Sequence, residues 1–373
     1  MPAEPSSKGP ARVLFLPGDG IGPEVASAAV RVLNSLSPHL TMELLEAPLG
    51  GAALDQEGVP VSEKTLEISS EVGAVMIGAV GGPDWDHLPG HQRPEAGLLA
   101  LRQAMGVYAN LRPVRLLPSL SDQSPLKSRI VQRGIDCLVV RELTGGLYYG
   151  SRREADRTGG REAADTLIYS RGEIIRVLKT AFRAATSRRG RLTSVDKANV
   201  LATSRLWRSL AQEMSPSFPD VELDHLYVDN AAMQMVLRPD SFDVMVTENT
   251  FGDILSDLGA ALVGSIGMLP SASLGEPGAP GLYEPIHGSA PDIVGTGRAN
   301  PVGAILSAAM MLRYSLGQPH LAGAVERAVD EVLDQLVATA DVAGPDFTVV
   351  STEEMGDRVA ERAARLAGPM REE

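Results

Sequence analysis

Short apolar runs alternate along the chain with stretches in which apolar residues recur at helical spacing. The runs end in polar or glycine-rich turns, as strands do. They cover residues 13–16, 72–77, 135–140 and 244–247. The helical stretches are 24–36, 172–189, 200–213, 254–263 and 304–316. Strands that alternate with helices predict an α/β fold with a largely parallel sheet.

The segment 148–170 has a different pattern. Tyr148-Tyr149-Gly150 precedes a charge-rich stretch with Gly159-Gly160, and Thr166–Ser170 then has β character. This pattern predicts two strands joined by a polar turn. Such a hairpin is either an ordinary surface feature or an arm that pairs with a neighbouring subunit.

Composition narrows the class of protein. The 373 residues are 44% hydrophobic, enough for a large core in two or three domains or one large α/β unit. The net charge of −13 argues against a nucleic-acid partner and a membrane partner, since both are anionic. The only cysteine, Cys137, excludes an intrachain disulfide and predicts a buried strand residue in a reducing, cytoplasmic protein.

A glycine-rich turn follows the first predicted strand. Gly18-Asp19-Gly20-Ile21-Gly22-Pro23 suggests a dinucleotide-binding loop, but Pro23 stands where that motif needs a small residue. The motif is therefore rejected. The glycines still allow a ligand or another segment to approach the backbone closely.

Two acidic residues form the strongest chemical feature. Asp253 and Asp257 are four residues apart at a predicted helix start, so their carboxylates share one face. A hard divalent cation, Mg²⁺ or Mn²⁺, would offset their repulsion. The alternative is that Asp253 only compensates the helix dipole. The pair His87 and His91 has no third ligand nearby and is expected to be solvated.

Three arginines stand out from those on predicted helix surfaces. They are Arg102, Arg112 and Arg141. Arg112 lies in Asn110-Leu111-Arg112-Pro113, and Arg141 ends an apolar strand, where α/β folds place ligands. Because a guanidinium pairs with a carboxylate through two hydrogen bonds, the three would suit a di- or tricarboxylic acid.

Lys197 and the segment 287–293 are weaker candidates on pattern alone. Lys197 follows a strand-like segment in a chain with few lysines, and the alternative is a plain surface lysine. The Gly/Pro loop His287–Ile293 holds Asp292, which could accept hydrogen bonds from a ribose diol and repel a 2′-phosphate.

Sequence blocks along nearly the whole chain after residue 11 resemble the β-decarboxylating dehydrogenases, the isocitrate/isopropylmalate dehydrogenase family. The block 93–102, Arg-Pro-Glu-Ala-Gly-Leu-Leu-Ala-Leu-Arg, is similar to that of the members that act on 3-isopropylmalate. The other matching blocks are 16–24, 81–83, 110–113, 140–148, 195–200, 228–229, 251–257 and 284–292.

The resemblance implies an α/β fold of two domains with a central mixed sheet, which is not a Rossmann fold. The first, cofactor-side domain would be discontinuous, 1–107 and 264–373. The second would be 108–263, with a dimer arm at 148–170 and subunit-interface helices. It also implies a homodimer whose active sites are shared between subunits.

The resemblance assigns roles residue by residue. Arg102, Arg112 and Arg141 match carboxylate clamps; Asp253, Asp257 and the partner's Asp229 match metal ligands; Tyr148 and the partner's Lys197 match the acid and base. Leu98, Leu99 and the partner's Val200 match the wall around the isopropyl group. Glu95 matches a residue near substrate and nicotinamide. The matched cofactor contacts are His287, Gly288, Ser289, Ala290, Asp292, Ile293 and Asn300.

The implied activity is NAD-dependent, Mg²⁺- or Mn²⁺-dependent oxidative decarboxylation of 3-isopropylmalate in leucine synthesis. Two alternatives remain: a sister enzyme acting on homoisocitrate, tartrate, malate or isocitrate, and a non-catalytic regulatory homologue. The apolar pair Leu98-Leu99 argues against isocitrate, because the third carboxylate of isocitrate would require a cationic or hydroxyl side chain at these positions.

Overall fold

The computed structural model describes residues 10–157 and 160–368. The chain forms two compact units. The first unit comprises the described residues up to Val107, the segment Leu117–Pro125 and the described residues from Val263 onward. The second comprises Tyr108–Leu116 and the described residues of Leu126–Leu262.

The helices and strands alternate along both units. In the first stretch they are β1 (Ala11–Gly18), α1 (Gly22–Ser35), β2 (Met42–Glu46), α2 (Gly51–Glu57), α3 (Glu63–Glu71), β3 (Ala74–Ala79) and α4 (Pro94–Ala104). In the second unit they are β4 (Ala109–Arg115), α5 (Ser128–Val131), β5 (Asp136–Glu142), β6 (Arg152–Arg157), β7 (Gly160–Asp165), α6 (Arg171–Thr186), β8 (Arg191–Asp196), α7 (Ala202–Met214), β9 (Glu222–Tyr227), α8 (Val228–Leu237), β10 (Val244–Thr247) and α9 (Asn249–Leu262). The final stretch adds β11 (Pro270–Leu274), β12 (Gly281–Pro285), α10 (Val302–Tyr314), α11 (Pro319–Asp334), β13 (Val337–Ala338), β14 (Thr348–Val349) and α12 (Thr352–Leu366).

The first unit has a mixed sheet with the strand order β2-β1-β3-β12-β11. Its strands are parallel except β11, which runs antiparallel to β12. Every residue of β3 is buried, as expected for a parallel strand covered on both faces. Helix α10 is apolar on nearly all sides and packs against β11, β12, α1 and α11, which makes it the centre of this unit's core.

The second unit has the strand order β4-β5-β10-β8-β9, also mixed because β4 runs antiparallel to β5. The other pairs are parallel. Helix α6 buries its apolar face against β5, β8, β10 and α7, and a capping box between Ser170 and Glu173 fixes its start. The parallel strands β5 and β10 end side by side, with Thr247 opposite Arg141.

Two predictions about elements need correction. Thr166–Ser170 is not a strand: the hairpin pairs β6 with β7 within the charge-rich stretch, and the predicted turn at 158–159 lies outside the described residues. Helix α9 begins at Asn249, five residues before the predicted start at 254, because Thr-Glu-Asn carries the chain directly from β10 into the helix. Asp253 therefore lies beyond the first turn, where compensation of the helix dipole falls off.

The glycine-rich turn after β1 serves close backbone approach. Gly20 has φ +57°, and a Cβ there would lie 2.1 Å from the carbonyl oxygen of Ser289. The Ile21 amide donates to that same oxygen at 2.9 Å. The glycines thus let this turn lie directly against the loop that follows β12.

Cys137 is a buried residue of β5, as predicted, and burial raises the pKa of its thiol to about 12. Among the described residues, none of the helices has both the length and the apolar character needed to span a bilayer.

Candidate active site

The second unit brings Arg112, Arg141 and Asp253 together at the ends of its central strands. Asn110 lies opposite Arg141 in the ladder, so Asn110, Arg112 and Arg141 project from one face of the sheet. The guanidinium of Arg141 is 3% exposed and pairs with Asp253, whose side chain is 36% exposed. A nearly buried cation therefore lies next to a carboxylate that solvent and ligands can reach.

Arg112 is held by neutral neighbours and faces both acids. Its Nε donates to Asn110 at 2.6 Å and its Nη1 donates to Ser256 at 2.7 Å. The same Nη1 lies 3.7 Å from Oδ1 of Asp253 and 3.7 Å from Oδ1 of Asp257. The two carboxylates thus converge on one point, as their spacing of one helical turn predicts.

Tyr148 lies beside this cluster. Its hydroxyl donates to Oδ2 of Asp253 at 2.7 Å, and the Arg141 guanidinium lies 5.6 Å from the centre of its ring. Burial raises the pKa of the Tyr148 phenol, and the hydrogen bond to Asp253 raises it further. The side chain therefore keeps its proton at neutral pH, as a proton donor must.

The donor set around Asp253 and Asp257 fits a hard divalent cation. Both donors are carboxylate oxygens on one helix face, Asp257 is 59% exposed, and no thiolate or imidazole is among the neighbours described above. Burial raises the pKa of Asp257, and the neighbouring Asp253 adds to this. A cation placed between the two acids would remove that repulsion.

Lys197 and Asp229 form a pair of their own. Lys197 Nζ donates to Oδ1 of Asp229 at 2.5 Å, and this hydrogen bond lowers the pKa of the Asp229 carboxyl. Val200, one turn after Lys197, is 63% exposed. Within residues 10–157 and 160–368, no three His, Cys, Asp or Glu side chains could hold a metal ion together. Asp229 of one chain therefore does not complete a set with Asp253 and Asp257.

In the first unit, helix α4 carries four predicted residues on one face. Glu95, Leu98, Leu99 and Arg102 follow the spacing of that helix, with Glu95 exposed and the two leucines half-buried. Arg102 is buried, and its Nη2 donates to Glu284 at 2.5 Å. The face thus presents a carboxylate, an apolar patch and a buried cation in succession.

The loop after β12 in the same unit holds the predicted cofactor contacts. His287 and Ser289 are buried, whereas Gly288 and Asp292 are exposed and Ile293 is half-buried. Ala290 has φ +41°, the left-handed region that L residues rarely adopt. Asn300 is buried, donates to Asp341 at 3.0 Å and accepts from the Val302 amide at 3.0 Å. His87 and His91 are both exposed, as expected.

Several residues that support this site carry no sequence pattern of their own. Asn110 and Ser256 hold Arg112, Glu284 holds Arg102, and Asn249 accepts from Nε of Arg141 at 2.9 Å. Their one common signal is that Asn110, Asn249 and Glu284 are polar residues in or directly after buried strands, where apolar residues are expected.

Comparison with known proteins agrees over nearly the whole chain. The family model for isocitrate/isopropylmalate dehydrogenase matches residues 12–359. A 3-isopropylmalate dehydrogenase of Carboxydothermus hydrogenoformans is 53% identical over 360 residues, 95% of this chain and 96% of that protein. Another, of Moorella thermoacetica, is 54% identical over 351 residues, 93% of this chain and 98% of that protein.

Solved structures share the fold. The isocitrate dehydrogenase of Methylococcus capsulatus has a TM-score of 0.85 at 34% identity and covers 95% of this chain and 99% of its own. A β-decarboxylating dehydrogenase of Thermococcus kodakarensis has a TM-score of 0.75 at 33% identity over 95% and 96% of the two chains. The predicted fold class, α/β with mixed sheets and no Rossmann fold, is confirmed. The chain belongs to the isocitrate/isopropylmalate dehydrogenase family.

Proposed function

We propose that this dehydrogenase oxidises 3-isopropylmalate with NAD⁺ and releases CO₂, giving 4-methyl-2-oxopentanoate in leucine synthesis. The observation that carries the proposal is the cluster in which Arg112 and Arg141 meet Asp253, Asp257 and Tyr148. It combines two cations for carboxylates, two oxygen donors for a hard metal and a protonated phenol.

The arginines of the chain bind and orient the substrate. Arg112 and Arg141, together with Arg102, would hold the malate carboxylates through paired hydrogen bonds. Because Asn110, Ser256 and Asn249 already hold Arg112 and Arg141, little side-chain freedom remains to be lost on binding. The half-buried Leu98 and Leu99 would contact the aliphatic branch, where one methylene contributes roughly 1–3 kcal/mol of selectivity.

The acid and the base would come from different subunits. Tyr148 would protonate the carbon that loses CO₂, and the partner subunit's Lys197 would take the proton of the substrate hydroxyl. Asp253 and Asp257, with the partner subunit's Asp229, would hold Mg²⁺ or Mn²⁺. When bound, such an ion supplies Lewis-acid polarisation of the hydroxyl and the ketone oxygen.

A homodimer completes this proposal. Met233 of α8 and Ile254 of α9 are each more than half exposed on two helices that pack against each other, and Val200 is 63% exposed. Adjacent exposed apolar side chains are typical of surfaces that a partner covers. A second copy would cover them and bring its Lys197 and Asp229. The exposed Asp292 supports NAD⁺ over NADP⁺, because its carboxylate would repel a 2′-phosphate.

A substrate panel tests the proposal. NADH formation is followed by absorbance with Mn²⁺ and 3-isopropylmalate, isocitrate, homoisocitrate, tartrate or malate, each with NAD⁺ and with NADP⁺. We expect the highest kcat/KM for 3-isopropylmalate with NAD⁺. Turnover of another acid without 3-isopropylmalate would assign a sister activity, and no turnover of any acid would favour a non-catalytic homologue.

A further inference from the structure

A buried tyrosine lies at the centre of a polar network beneath the cluster of the second unit. The oxygen of Tyr169 is 3.0 Å from Glu142 Oε2 and 3.4 Å from Glu248 Oε2, and it accepts from the Asn249 amide at 3.0 Å. The phenol is 6% exposed, and its ring packs edge-on against Trp207. Tyr169, Glu142 and Glu248 have no role in the chemistry proposed above.

Asn249 connects Tyr169 to the arginine that would bind substrate. Its side-chain oxygen accepts from Arg141 Nε at 2.9 Å, and its side-chain nitrogen donates to the Gly145 carbonyl at 3.1 Å. Asn249 is fully buried and is the first residue of α9, the helix that carries Asp253 one turn later. One side chain thus fixes Arg141, the turn at Gly145 and the start of α9.

The turn that leads to Tyr148 lies against the Tyr169 phenol. Gly146 has φ +74°, and a Cβ there would lie 2.6 Å from the Tyr169 oxygen; a Cβ on Gly145 would lie 2.5 Å from its ring. Glu142 accepts from the amides of Thr144 and Gly145, both at 2.9 Å. The path of the turn is therefore set by the position of the phenol.

This network is less favourable in free energy than an apolar core of the same volume. Two carboxylates, Glu142 and Glu248, are almost completely removed from water, and apolar residues of similar volume would fill the same space without their desolvation cost. Networks of this kind fix one geometry when every member has a partner. The groups that it holds in place are residues of the proposed site.

We propose that Tyr169 and Asn249 are positioning residues that hold Arg141 and the turn bearing Tyr148 in the geometry needed for the reaction. The inference rests on the proposed function for its kinetic consequences. Neither side chain needs to touch the substrate: Asn249 orients the guanidinium through its Nε, and Tyr169 supports Asn249 and the turn.

The first test is Tyr169→Phe, which removes the hydroxyl and keeps the ring against Trp207. We expect kcat/KM for 3-isopropylmalate to fall roughly 10- to 100-fold, with KM for that substrate raised, while KM for NAD⁺ stays within about two-fold. The matched control is Tyr283→Phe in the first unit, which also loses a buried hydroxyl, bonded there to Ser315. The control should keep both KM values.

The second measurement is hydrogen–deuterium exchange of the segment 143–149 in the unliganded proteins, with a thermal melt to establish folding. Exchange there should rise in Tyr169→Phe and in Asn249→Ala and stay at the wild-type rate in Tyr283→Phe. A fall in kcat with unchanged KM and unchanged exchange would show only a smaller folded fraction and would overturn the proposal, as would wild-type behaviour.

The two proposals fail separately. A wild-type protein that does not turn over 3-isopropylmalate removes the proposed function, but exchange in 143–149 still decides whether Tyr169 and Asn249 hold the turn. A wild-type protein that is active, together with variants that match it, overturns the positioning role alone.

Discussion

At the scale of single residues, the arginines, the aspartate and the tyrosine of the proposed site are held in place by ion pairs and hydrogen bonds with their neighbours. Arg141 and Arg112 face Asp253, and Tyr148 donates to it. Asn249 accepts from Nε of Arg141, whereas Asn110 and Ser256 accept from Nε and Nη1 of Arg112. The carboxylate of Asp253 contacts both cations and the phenol. Its removal should therefore have a large effect on the proposed site.

Replacement of that carboxylate tests the proposed metal site. Asp253→Asn should lower kcat by at least about 100-fold and weaken Mn²⁺ binding in the absence of substrate, because one of two charged oxygen donors of the chain is lost. Mn²⁺ binding is measured by electron paramagnetic resonance. The control is Asp357→Asn, which breaks an exposed pair with Arg31 and should change neither quantity. Unchanged Mn²⁺ affinity in Asp253→Asn would remove this residue from the ligand set.

Residue types and spacings predicted which arginine and aspartate side chains lie together better than they predicted the residues that support them. Asp253 and Asp257 share a helix face because they are four residues apart. Arg141 follows the apolar run of its strand as predicted, although the strand continues for one more residue, to Glu142. Asn249 and Tyr169 could not be found in this way. The contacts of Asn249 with Tyr169 and Arg141 join positions 80 and 108 residues apart, and only tertiary packing brings such positions together.

At the scale of elements, α9 is shaped by what it packs against as much as by helix propensity. Gly252 lies inside this helix, and a Cβ there would lie 2.6 Å from Cγ of Arg141. The glycine is thus a packing requirement, because the helix and the arginine of β5 approach closely. Gly323, inside α11, has its nearest neighbour at 3.7 Å and no such requirement.

These two glycines give a matched pair of substitutions. Gly323→Ala should stabilise the protein by up to about 1 kcal/mol and leave activity unchanged, because alanine is the better helix former. Gly252→Ala should instead raise KM for 3-isopropylmalate, since its methyl group displaces Arg141. Urea unfolding and steady-state kinetics measure both effects. A Gly252→Ala enzyme with wild-type KM would show that Arg141 has room to move.

Strand β5 carries a buried acid with a predictable dependence on pH. Burial raises the pKa of Glu142 above its ordinary value of 4.5. The folded state therefore binds the proton more tightly than the unfolded state, and the stabilisation is complete below about pH 4.5 and lost as the pH rises through the folded pKa. Stability measured by urea unfolding should decrease less steeply from pH 4.5 to 8 in Glu142→Gln than in wild type.

The exposed acid Glu213 gives stability the opposite dependence on pH. The hydrogen bond from Arg171 lowers the pKa of Glu213, so its contribution is present above about pH 4.5 and disappears as the pH falls through the lowered folded pKa. Glu213→Gln should therefore lose a small stabilisation at neutral pH.

For Glu142, the contrary outcome is a free energy of unfolding with the same dependence on pH in wild type and in Glu142→Gln. That result would mean that Glu142 keeps its ordinary pKa.

Periodicity predicted some of the elements in their order along the chain, but it did not predict where they begin and end. The apolar runs of β1, β3, β5 and β10 and the helical spacing of α1, α6, α7 and α10 all correspond to observed elements. Strand β4 was not predicted, because arginine and proline interrupt its apolar pattern. The start of α9 was placed too late because its first five residues, 249–253, are polar or glycine except for Phe251.

At the scale of the whole molecule, the proposed dimer has a direct genetic test. Tyr148 belongs to a group with Asp253, and Lys197 pairs with Asp229 in a second group. If one site takes Tyr148 from one subunit and Lys197 from the other, a heterodimer of Tyr148→Phe and Lys197→Ala has one intact site and one doubly altered site. Each homodimer has two impaired sites.

Mixed dimers should therefore recover activity that neither parent has. Random pairing makes half of the dimers heterodimers, each with one intact site of two, so about a quarter of wild-type activity is expected. The measurement is the specific activity of the co-expressed variants against each variant alone. A mixture no more active than its parents would show that every chain completes its own site.

The pairing of Asp253 with Arg141 couples the two ligands of the proposed site. A cation that engages Asp253 frees Arg141 for an anion, and an anion that engages Arg141 frees Asp253 for a cation. Metal and hydroxy acid should thus bind with positive cooperativity, each tightening the other by the same factor, as thermodynamic linkage requires.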